Sequence, residues 1–401
     1  MSWRRVSLQS IIEKPFTGEW GDGKGKTKIL RTTNFTNDGS LDLSSIVLRN
    51  IEQRKIDQKQ LKYGDSIIEK SGGSPNQPVG RVVYFDQKGD VFLCNNFTSV
   101  IRSKPEVDSR YLFWFLYSNH LNHNTLKYQN KTTGIINLQL ERYISELQIP
   151  LPPLPIQKCI AEILDAADTL RRKDQQLLKK YDELAQAIFI DMFGDPVKNE
   201  KGWDETTIKQ AAANDKHSIK AGPFGSSLKK EVYVSSGYKI YGQEQVIADS
   251  FDIGDYYINE EKYRELENCK INSGDVLISL VGTYGKISVV PNSFEPGIIN
   301  PRLMKITLNK NVFNPYFFKF LLQTEQMINR IAQFSRGGTM DIVNVGILSE
   351  IIAIRPPIIL QNSFIEELDL ILLQKSDVVK NNNCHLFESL IQKAFTGELV
   401  N

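Results

Sequence analysis

The sequence predicts a mixed α/β (α+β) protein made of two tandem copies of one unit, each a domain of helices and strands followed by a long helix. Motifs that recur in the same order about 200 residues apart indicate the duplication. Short alternating runs of apolar and polar residues between turn residues indicate strands. Two stretches of about 38 residues without proline or glycine, 156–193 and 358–396, indicate the long helices.

Four pairs of motifs define the duplication. They are GDSII at 64–68 with GDVLI at 274–278, INL at 136–138 with VNV at 343–345, ISELQIPLPP at 144–153 with LSEIIAIRPP at 348–357, and MFGD at 192–195 with FTGE at 395–398. Because order and spacing are both kept, we predict a pseudo-twofold internal repeat. The predicted boundaries are a first domain at 1–150, a central helix at 151–197, a second domain at 198–355 and a distal helix at 356–401.

Each predicted domain contains both kinds of secondary structure. Strands are expected at 79–85 and 286–290, and helices with bulky aromatic residues at 110–117 and 315–323. Asn314 followed by Pro315 fits a helix start, because asparagine caps free N–H groups and proline is tolerated at the first helical position.

The long helices are expected to begin after the paired prolines at 152–153 and 356–357. From Ile156 to Ile188, positions spaced alternately four and three residues apart are apolar except at Asp174. This spacing is the pattern of a coiled-coil seam. We predict an antiparallel pair, in which matching midpoints place Asp174 opposite Lys375. The residues expected to pair the helices are Ile163, Leu170, Asp174, Leu177, Leu184, Leu368, Ile371 and Lys375. Two independent amphipathic helices, each packed on its own domain, are the alternative.

Composition and charge limit the class of protein. Hydrophobic residues make up 41% and charged residues 24%, an ordinary globular balance. The N-terminus has no apolar signal segment, no apolar run approaches a membrane span, and the four cysteines lack metal or redox spacing, so we expect a cytoplasmic protein with reduced thiols. The two domains carry net charges of +6 and +1 and the helical segments −2 and −3, which hints at an anionic partner for the domains.

Motifs of catalysis and cofactor binding are missing from the sequence. It contains no dinucleotide-binding or phosphate-binding glycine loop, no zinc-protease helix motif and no nucleophile elbow. Gly21–Gly25 follows no clear strand and opens no helix, so we expect a flexible basic loop there. The sequence therefore predicts a non-catalytic chain without a metal site.

Basic loops rich in small residues recur in both units. Small residues let a backbone approach a phosphate, lysine neutralises it, and arginine, asparagine and threonine can reach base edges. The predicted DNA-binding residues are Lys24, Lys26, Lys28, Arg31, Thr32, Asn34, Lys131, Thr132, Thr133, Ser226, Ser227, Lys229, Lys230, Lys286, Arg336 and Thr339. Any one of these loops could equally be an ordinary solvated turn, and their recurrence favours binding.

The chain resembles the specificity subunits of type I DNA restriction–modification systems. The motifs that carry the resemblance are LPPLPIQ at 151–157, FIDMFGDP at 189–196, GPFGS at 222–226, GTYGK at 282–286 and KAFTGEL at 393–399. The resemblance implies two target-recognition domains, each reading one half of a bipartite asymmetric double-stranded DNA site, and an antiparallel helical spacer on which two modification subunits dock. It also implies that this chain holds no cofactor, whereas the modification subunits use S-adenosylmethionine to methylate adenine and the motor-nuclease restriction subunits use ATP and Mg²⁺.

Two other functions stay open at this stage. A coiled-coil scaffold with domains that bind a protein or carbohydrate would explain the architecture without DNA. A stand-alone DNA methyltransferase or nuclease would need a cofactor or metal site that the motifs do not supply.

Overall fold

The computed structural model describes residues 3–74, 76–132, 135–224, 227–280, 286–335, 345–381 and 383–400. The chain folds into two compact units. The first unit comprises residues 1–176 and 381–401, and the second comprises 177–380. Each unit thus contains one mixed domain, part of the first long helix and part of the C-terminal helical stretch.

The first unit contains twelve strands within its described residues. They are β1 (Arg5–Ser7), β2 (Phe16–Thr17), β3 (Asp22–Leu30), β4 (Val47–Asn50), β5 (Ser66–Glu69), β6 (Ser71–Gly73), β7 (Val82–Tyr84), β8 (Phe92–Cys94), β9 (Thr98–Ile101), β10 (Gln129–Thr132), β11 (Ile135–Leu138) and β12 (Gln148–Pro150). The helices of this part of the chain are α1 (Gln53–Lys59), α2 (Ser109–Leu121), α3 (Leu140–Glu146) and α4 (Leu154–Phe193), the last of which continues into the second unit.

The strands of the first unit form small sheets. Two of these position the candidate site: the antiparallel order β2-β9-β5-β7, and the order β4-β3-β8 in which β3 runs parallel to β8. The pair β1-β12 and the order β10-β11-β6 complete the unit.

The aromatic helix α2 forms the centre of the first core. Asp108 caps its start by accepting hydrogen bonds from the N–H groups of Arg110 and Tyr111. The Trp114 side chain is fully buried, and its indole N–H donates to Asp165 on α4 over 2.8 Å. The Tyr111 hydroxyl donates to the Pro150 carbonyl oxygen over 2.7 Å. The predicted helix at 110–117 is confirmed, and it fastens the first domain to α4.

The second unit repeats this design. Its strands are β13 (Asp204–Thr207), β14 (Ile219–Ala221), β15 (Tyr238–Tyr241), β16 (Tyr257–Ile258), β17 (Val276–Ser279), β18 (Ile287–Val289), β19 (Gly297–Ile299), β20 (Leu303–Ile306) and β21 (Ile352–Arg355). The remaining helices of the described chain are α5 (Ile208–Ala211), α6 (Gln243–Ala248), α7 (Glu260–Glu265), α8 (Pro315–Gln323), α9 (Glu325–Ser335), α10 (Val345–Ser349), α11 (Ile358–Asn381) and α12 (Asn383–Lys393), of which α12 belongs to the first unit.

Sheet connectivity in the second unit matches that in the first. The orders β14-β20-β17-β18 and β16-β15-β19 repeat the two larger sheets, and β15 runs parallel to β19 as β3 does to β8. Helix α8 begins at Pro315 with Asn314 as its cap, as predicted. The mixed fold and its internal repeat are therefore confirmed.

A buried glutamine repeats at the start of each long helix. The Gln157 side-chain amide donates to the Pro152 and Glu106 carbonyl oxygens, and its oxygen accepts from the Asp108 N–H. In the second unit Gln361 donates to Pro356 and Val312 and accepts from Asn314, with all three distances between 2.7 and 3.0 Å. In both units one side chain thus ties the long helix to the cap of the aromatic helix.

Each unit contains an antiparallel helix pair. In the first, the Arg171 guanidinium lies 4.9 Å from the Phe387 ring centre, and Asn383 donates to Asp174 over 2.7 Å. Residues further along α4 therefore meet residues earlier in α12. In the second unit Lys375 on α11 pairs with Asp182, and the ring centres of Phe364 and Phe189 lie 5.5 Å apart.

These contacts correct the predicted register. Asp174 does not meet Lys375: it accepts from Asn383, whereas Lys375 pairs with Asp182. The midpoint estimate failed because it assumed that the midpoints of the two helical stretches lie opposite each other. The tertiary contacts of each unit set the register instead.

The predicted seam is also wrong at alternate positions. Leu170, Leu177 and Leu184 are 45%, 38% and 45% exposed, whereas Leu164 and Ala185 are buried. The other predicted row is right, since Ile160 and Ala167 are buried. The second buried row lies one residue beyond the predicted leucines, so the centre of the buried face is shifted by about 50°. The row that replaces the leucines is apolar except at Arg171, so apolar periodicity favoured the leucines, and the packing of each unit selected the other row. Of the other predicted pairing residues, Ile371 is buried and Ile163 and Leu368 are half-buried.

Within the described residues, no helix is both long and apolar enough to cross a membrane.

Candidate nucleic-acid interface

The candidate site of the first unit is a bulge in β3 that carries lysines. The β3–β4 register jumps from Asp22↔Asn50 to Thr27↔Arg49, so residues 23–26 are extra on the β3 side. A Cβ atom at Gly25 would lie 2.3 Å from the Arg49 backbone, which explains the glycine there. This segment was predicted to be a flexible loop and is part of a strand. The prediction failed because the residues that flank the bulge, Asp22 and Thr27, pair with β4, which local sequence does not reveal.

Two lysines point outward from this bulge. Lys24 and Lys26 are both exposed. Arg49 supports the bulge from β4: its guanidinium carbon lies 4.2 Å from the Trp20 ring centre, and Nη1 donates to the Gly23 carbonyl oxygen over 3.3 Å. The bulge is thus a braced, positively charged projection.

Other predicted residues of this segment are engaged within the domain. Lys28 forms an ion pair with Asp90 at 2.6 Å. Arg31 donates to the Ser45 carbonyl oxygen over 3.2 Å. Asn34 is buried, and its amide donates to the carbonyl oxygens of Asp42 and Ser45.

Thr32 is half-buried, and its carbonyl oxygen accepts from Arg81 over 3.1 Å. In this structure Lys24 and Lys26 are therefore the members of the 24–34 set that are fully presented to solvent.

The candidate site of the second unit follows β14. Lys229, Lys230 and Lys286 are exposed, and Ser227 is half-buried with its N–H donating to the Phe224 carbonyl oxygen over 2.8 Å. Thr133, Ser226, Arg336 and Thr339 lie outside the described residues, and for Lys131 and Thr132 the description is limited to the backbone of β10.

The two candidate sites share one turn, of which sequence analysis singled out only the second copy, in the GPFGS motif at 222–226. Gly18 follows β2, and its N–H donates to the Thr98 carbonyl oxygen over 3.2 Å; Gly222 follows β14 and donates to Leu303 over 2.9 Å. A Cβ atom at either glycine would lie about 2 Å from a carbonyl oxygen, that of Asn95 or Asn300. The two short segments are GEWG at 18–21 and GPFG at 222–225, separated by the same spacing as the paired prolines. This spacing is the signal that could have revealed them.

Comparison with known proteins agrees with this architecture. Residues 3–180 match the type I restriction modification DNA specificity domain. The MjaVIII specificity subunit of a type I restriction enzyme from Methanocaldococcus jannaschii is 23% identical over 286 residues, which are 67% of this chain and 64% of that protein. The EcoKI specificity subunit from Escherichia coli K12 is 25% identical over 404 aligned positions, covering 93% of this chain and 82% of that protein.

Residues 3–180 therefore carry a type I restriction modification DNA specificity domain, and the chain is similar to specificity subunits of type I restriction enzymes.

A solved member of the family shares the fold. The crystal structure of the type I restriction–modification S subunit from M. genitalium superposes with a TM-score of 0.58 at 16% identity, covering 98% of this chain and 96% of that one. The chain thus places exposed lysines after equivalent glycine turns in its two units.

Proposed function

We propose that this chain is the non-catalytic DNA sequence-recognition subunit of a type I restriction–modification complex. In this proposal each domain reads one half of a bipartite, asymmetric target in double-stranded DNA. The observation that carries it is the repetition of one design: a glycine turn at Gly18 or Gly222 is followed by exposed lysines, in two domains that share the connectivity of a four-stranded and a three-stranded sheet.

Charge supports DNA as the ligand. Lys24 and Lys26 project from the braced bulge, and Lys229 and Lys230 follow the equivalent turn of the second unit. Lysines of this kind neutralise phosphates and give affinity without sequence information. Sequence would be read by neighbouring polar side chains and by the shape of the duplex.

The spacer helix α4 supports a second part of the proposal, the docking of two modification subunits. Leu170, Leu177 and Leu184 recur every seven residues on one side of this helix and are 45%, 38% and 45% exposed. A heptad row of exposed leucines is suited to a further helix, because it offers a seam like that of a coiled coil. We assign this row, hereafter the outer leucine row, to the modification subunits.

The remaining parts of the proposal concern the assembled complex. We assign S-adenosylmethionine and adenine methylation to the modification subunits, and ATP, Mg²⁺ and DNA cleavage to restriction subunits that would join them. This chain would hold none of these cofactors and would act in the cytoplasm, where the DNA is.

Sequencing of methylated adenines tests the function. The chain is expressed with its modification partner, and residues 1–150 are then exchanged for the recognition domain of another family member. We expect a bipartite methylated motif in which the exchange alters one half and leaves the other half and the gap unchanged. A change in both halves would contradict two independent readers, and a chain that directs no methylation and binds no duplex would favour the scaffold alternative.

A further inference from the structure

Phe224 has the largest exposed fraction among the large apolar side chains that the structure describes as exposed. Its side chain is 87% exposed, compared with 77% for Ile359 on α11. Covering an exposed apolar side chain with a partner lowers the free energy of the system. A ring presented this fully therefore suggests contact with a ligand.

The backbone beneath Phe224 is held in place. Pro223 is buried, Gly222 packs against the Asn300 carbonyl oxygen, and its N–H donates to Leu303 over 2.9 Å. The Phe224 carbonyl oxygen accepts from the Ser227 N–H over 2.8 Å. The ring thus sits on a turn anchored on both sides, so little backbone freedom would be lost when it contacts a ligand.

The first unit places an aromatic residue at the equivalent position. Trp20 lies two residues after Gly18, as Phe224 lies two residues after Gly222. Trp20 is half-buried and stacks under the Arg49 guanidinium at 4.2 Å. The repeat therefore keeps a ring at this turn in both units and leaves it uncovered only at Phe224.

The surroundings of Phe224 are cationic rather than apolar. Lys229 and Lys230 are exposed on the same segment, and Arg302 is exposed on the turn that begins at Asn300, against which Gly222 packs. A docking site for a protein would be expected to surround the ring with further apolar groups. A ring among cations suits a nucleic acid, whose phosphates meet the cations while a base face meets the ring.

We propose that the Phe224 ring inserts between, or stacks on, bases in the half-site read by the second unit. Apolar side chains act as wedges in this way, partly unstacking a base step and bending the duplex. The inference rests on the proposed function and adds a residue that contributes through base stacking rather than through phosphate contacts.

The test uses the full chain in complex with its modification subunits. The half-site of the second unit is the half that stays unchanged when residues 1–150 are exchanged. Duplexes with 2-aminopurine at each position of that half-site report unstacking as a rise in fluorescence. Wild type, Phe224→Ala and Phe224→Trp are compared for this signal, for affinity and for its salt dependence.

We expect Phe224→Ala to weaken binding by about 5- to 150-fold, the range of one base–aromatic stack. The slope of log K against log salt should not change, because no phosphate contact is lost. The 2-aminopurine signal should disappear in Phe224→Ala and persist in Phe224→Trp. Tyr316→Ala is the matched control: this tyrosine of the same unit is 48% exposed, and its removal should leave both readouts unchanged.

Two results would overturn the inference alone. One is wild-type affinity and fluorescence in Phe224→Ala. The other is loss of the modification subunits from Phe224→Ala while DNA binding persists, which would assign the ring to a protein contact. A wild-type complex that binds no duplex would instead refute the proposed function itself.

Discussion

The two units place an aspartate at the same buried turn but neutralise it differently. Asp65 follows Gly64 (φ 98°) and accepts from the Lys62 N–H; Asp275 follows Gly274 (φ 85°) and accepts from the Asn272 N–H. Both carboxylates are 1% exposed. The turn needs glycine because its backbone is left-handed, and the carboxylate holds the turn closed.

The partners of the two carboxylates decide their electrostatics. Arg102 donates to both oxygens of Asp65 at 2.7 and 2.8 Å, and this contact raises the pKa of the arginine. Asp275 instead accepts from the Thr307 hydroxyl at 2.5 Å, and the Lys305 nitrogen lies 3.9 Å away. Burial raises the pKa of Asp275 above its usual value. A duplicated scaffold can thus keep its backbone while its buried charges diverge.

The largest expected effect comes from removing the cation in the first unit. Arg102→Met should lower the unfolding free energy of that unit by about 3–5 kcal/mol, because it leaves Asp65 buried without its ionic partner. Lys305→Met should cost less than about 1 kcal/mol in the second unit, because its contact with Asp275 is long and the Thr307 hydrogen bond remains.

Hydrogen exchange of β5 and β17 measures the two units separately. Equal losses of protection in the two variants would show that the charge pairs are equivalent.

A smaller effect is expected on DNA affinity when lysines are removed. Lys24→Ala with Lys26→Ala, and Lys229→Ala with Lys230→Ala, should each weaken binding to all duplexes alike. Each lost phosphate contact should reduce the slope of log K against log salt by about 0.9. Lys28→Ala is the internal control, since this lysine is paired with Asp90 and should change the slope less. If neither pair of substitutions changed the slope, these segments would be ordinary solvated turns that do not contact phosphates.

The smallest expected effect is a change in pH dependence at Asp275. The pKa of Asp275 is raised in the folded state, so folded protein binds this proton more tightly than unfolded protein does. The free energy of unfolding therefore falls as pH rises from about 4 through the pKa of the folded state. Asp275→Asn should remove that fall, which amounts to about 1.4 kcal/mol for each tenfold difference in proton affinity between folded and unfolded protein. Urea unfolding of the second unit between pH 4 and pH 8 checks this. If the free energy of unfolding had the same pH dependence in wild type and Asp275→Asn, this prediction would be wrong.

Local patterns were enough to predict several elements. Asn314 and Pro315 marked the start of α8, and the absence of proline and glycine marked residues 156–193 of α4, which begins at Leu154. These features depend on capping, backbone sterics and heptad periodicity, which act within a few residues. The repeat was visible for the same reason, since each copy keeps its own turns and caps.

Other features needed contacts between distant residues. Residues 22–30 form one strand because residues on both sides of the bulge pair with β4 and its last residues pair with β8. The packing of each unit turned Leu170, Leu177 and Leu184 of α4 to solvent. The covering of Trp20 depends on Arg49, which lies on another strand.

The sequence by itself determined the duplication, the mixed domains and the long helices, because these follow from local sterics and periodicity. The tertiary structure decided the helix register, the orientation of the outer leucine row and which basic residues face solvent. Each of these is a choice among alternatives that local preferences leave nearly equal in energy, and burial and hydrogen bonding between distant segments select one.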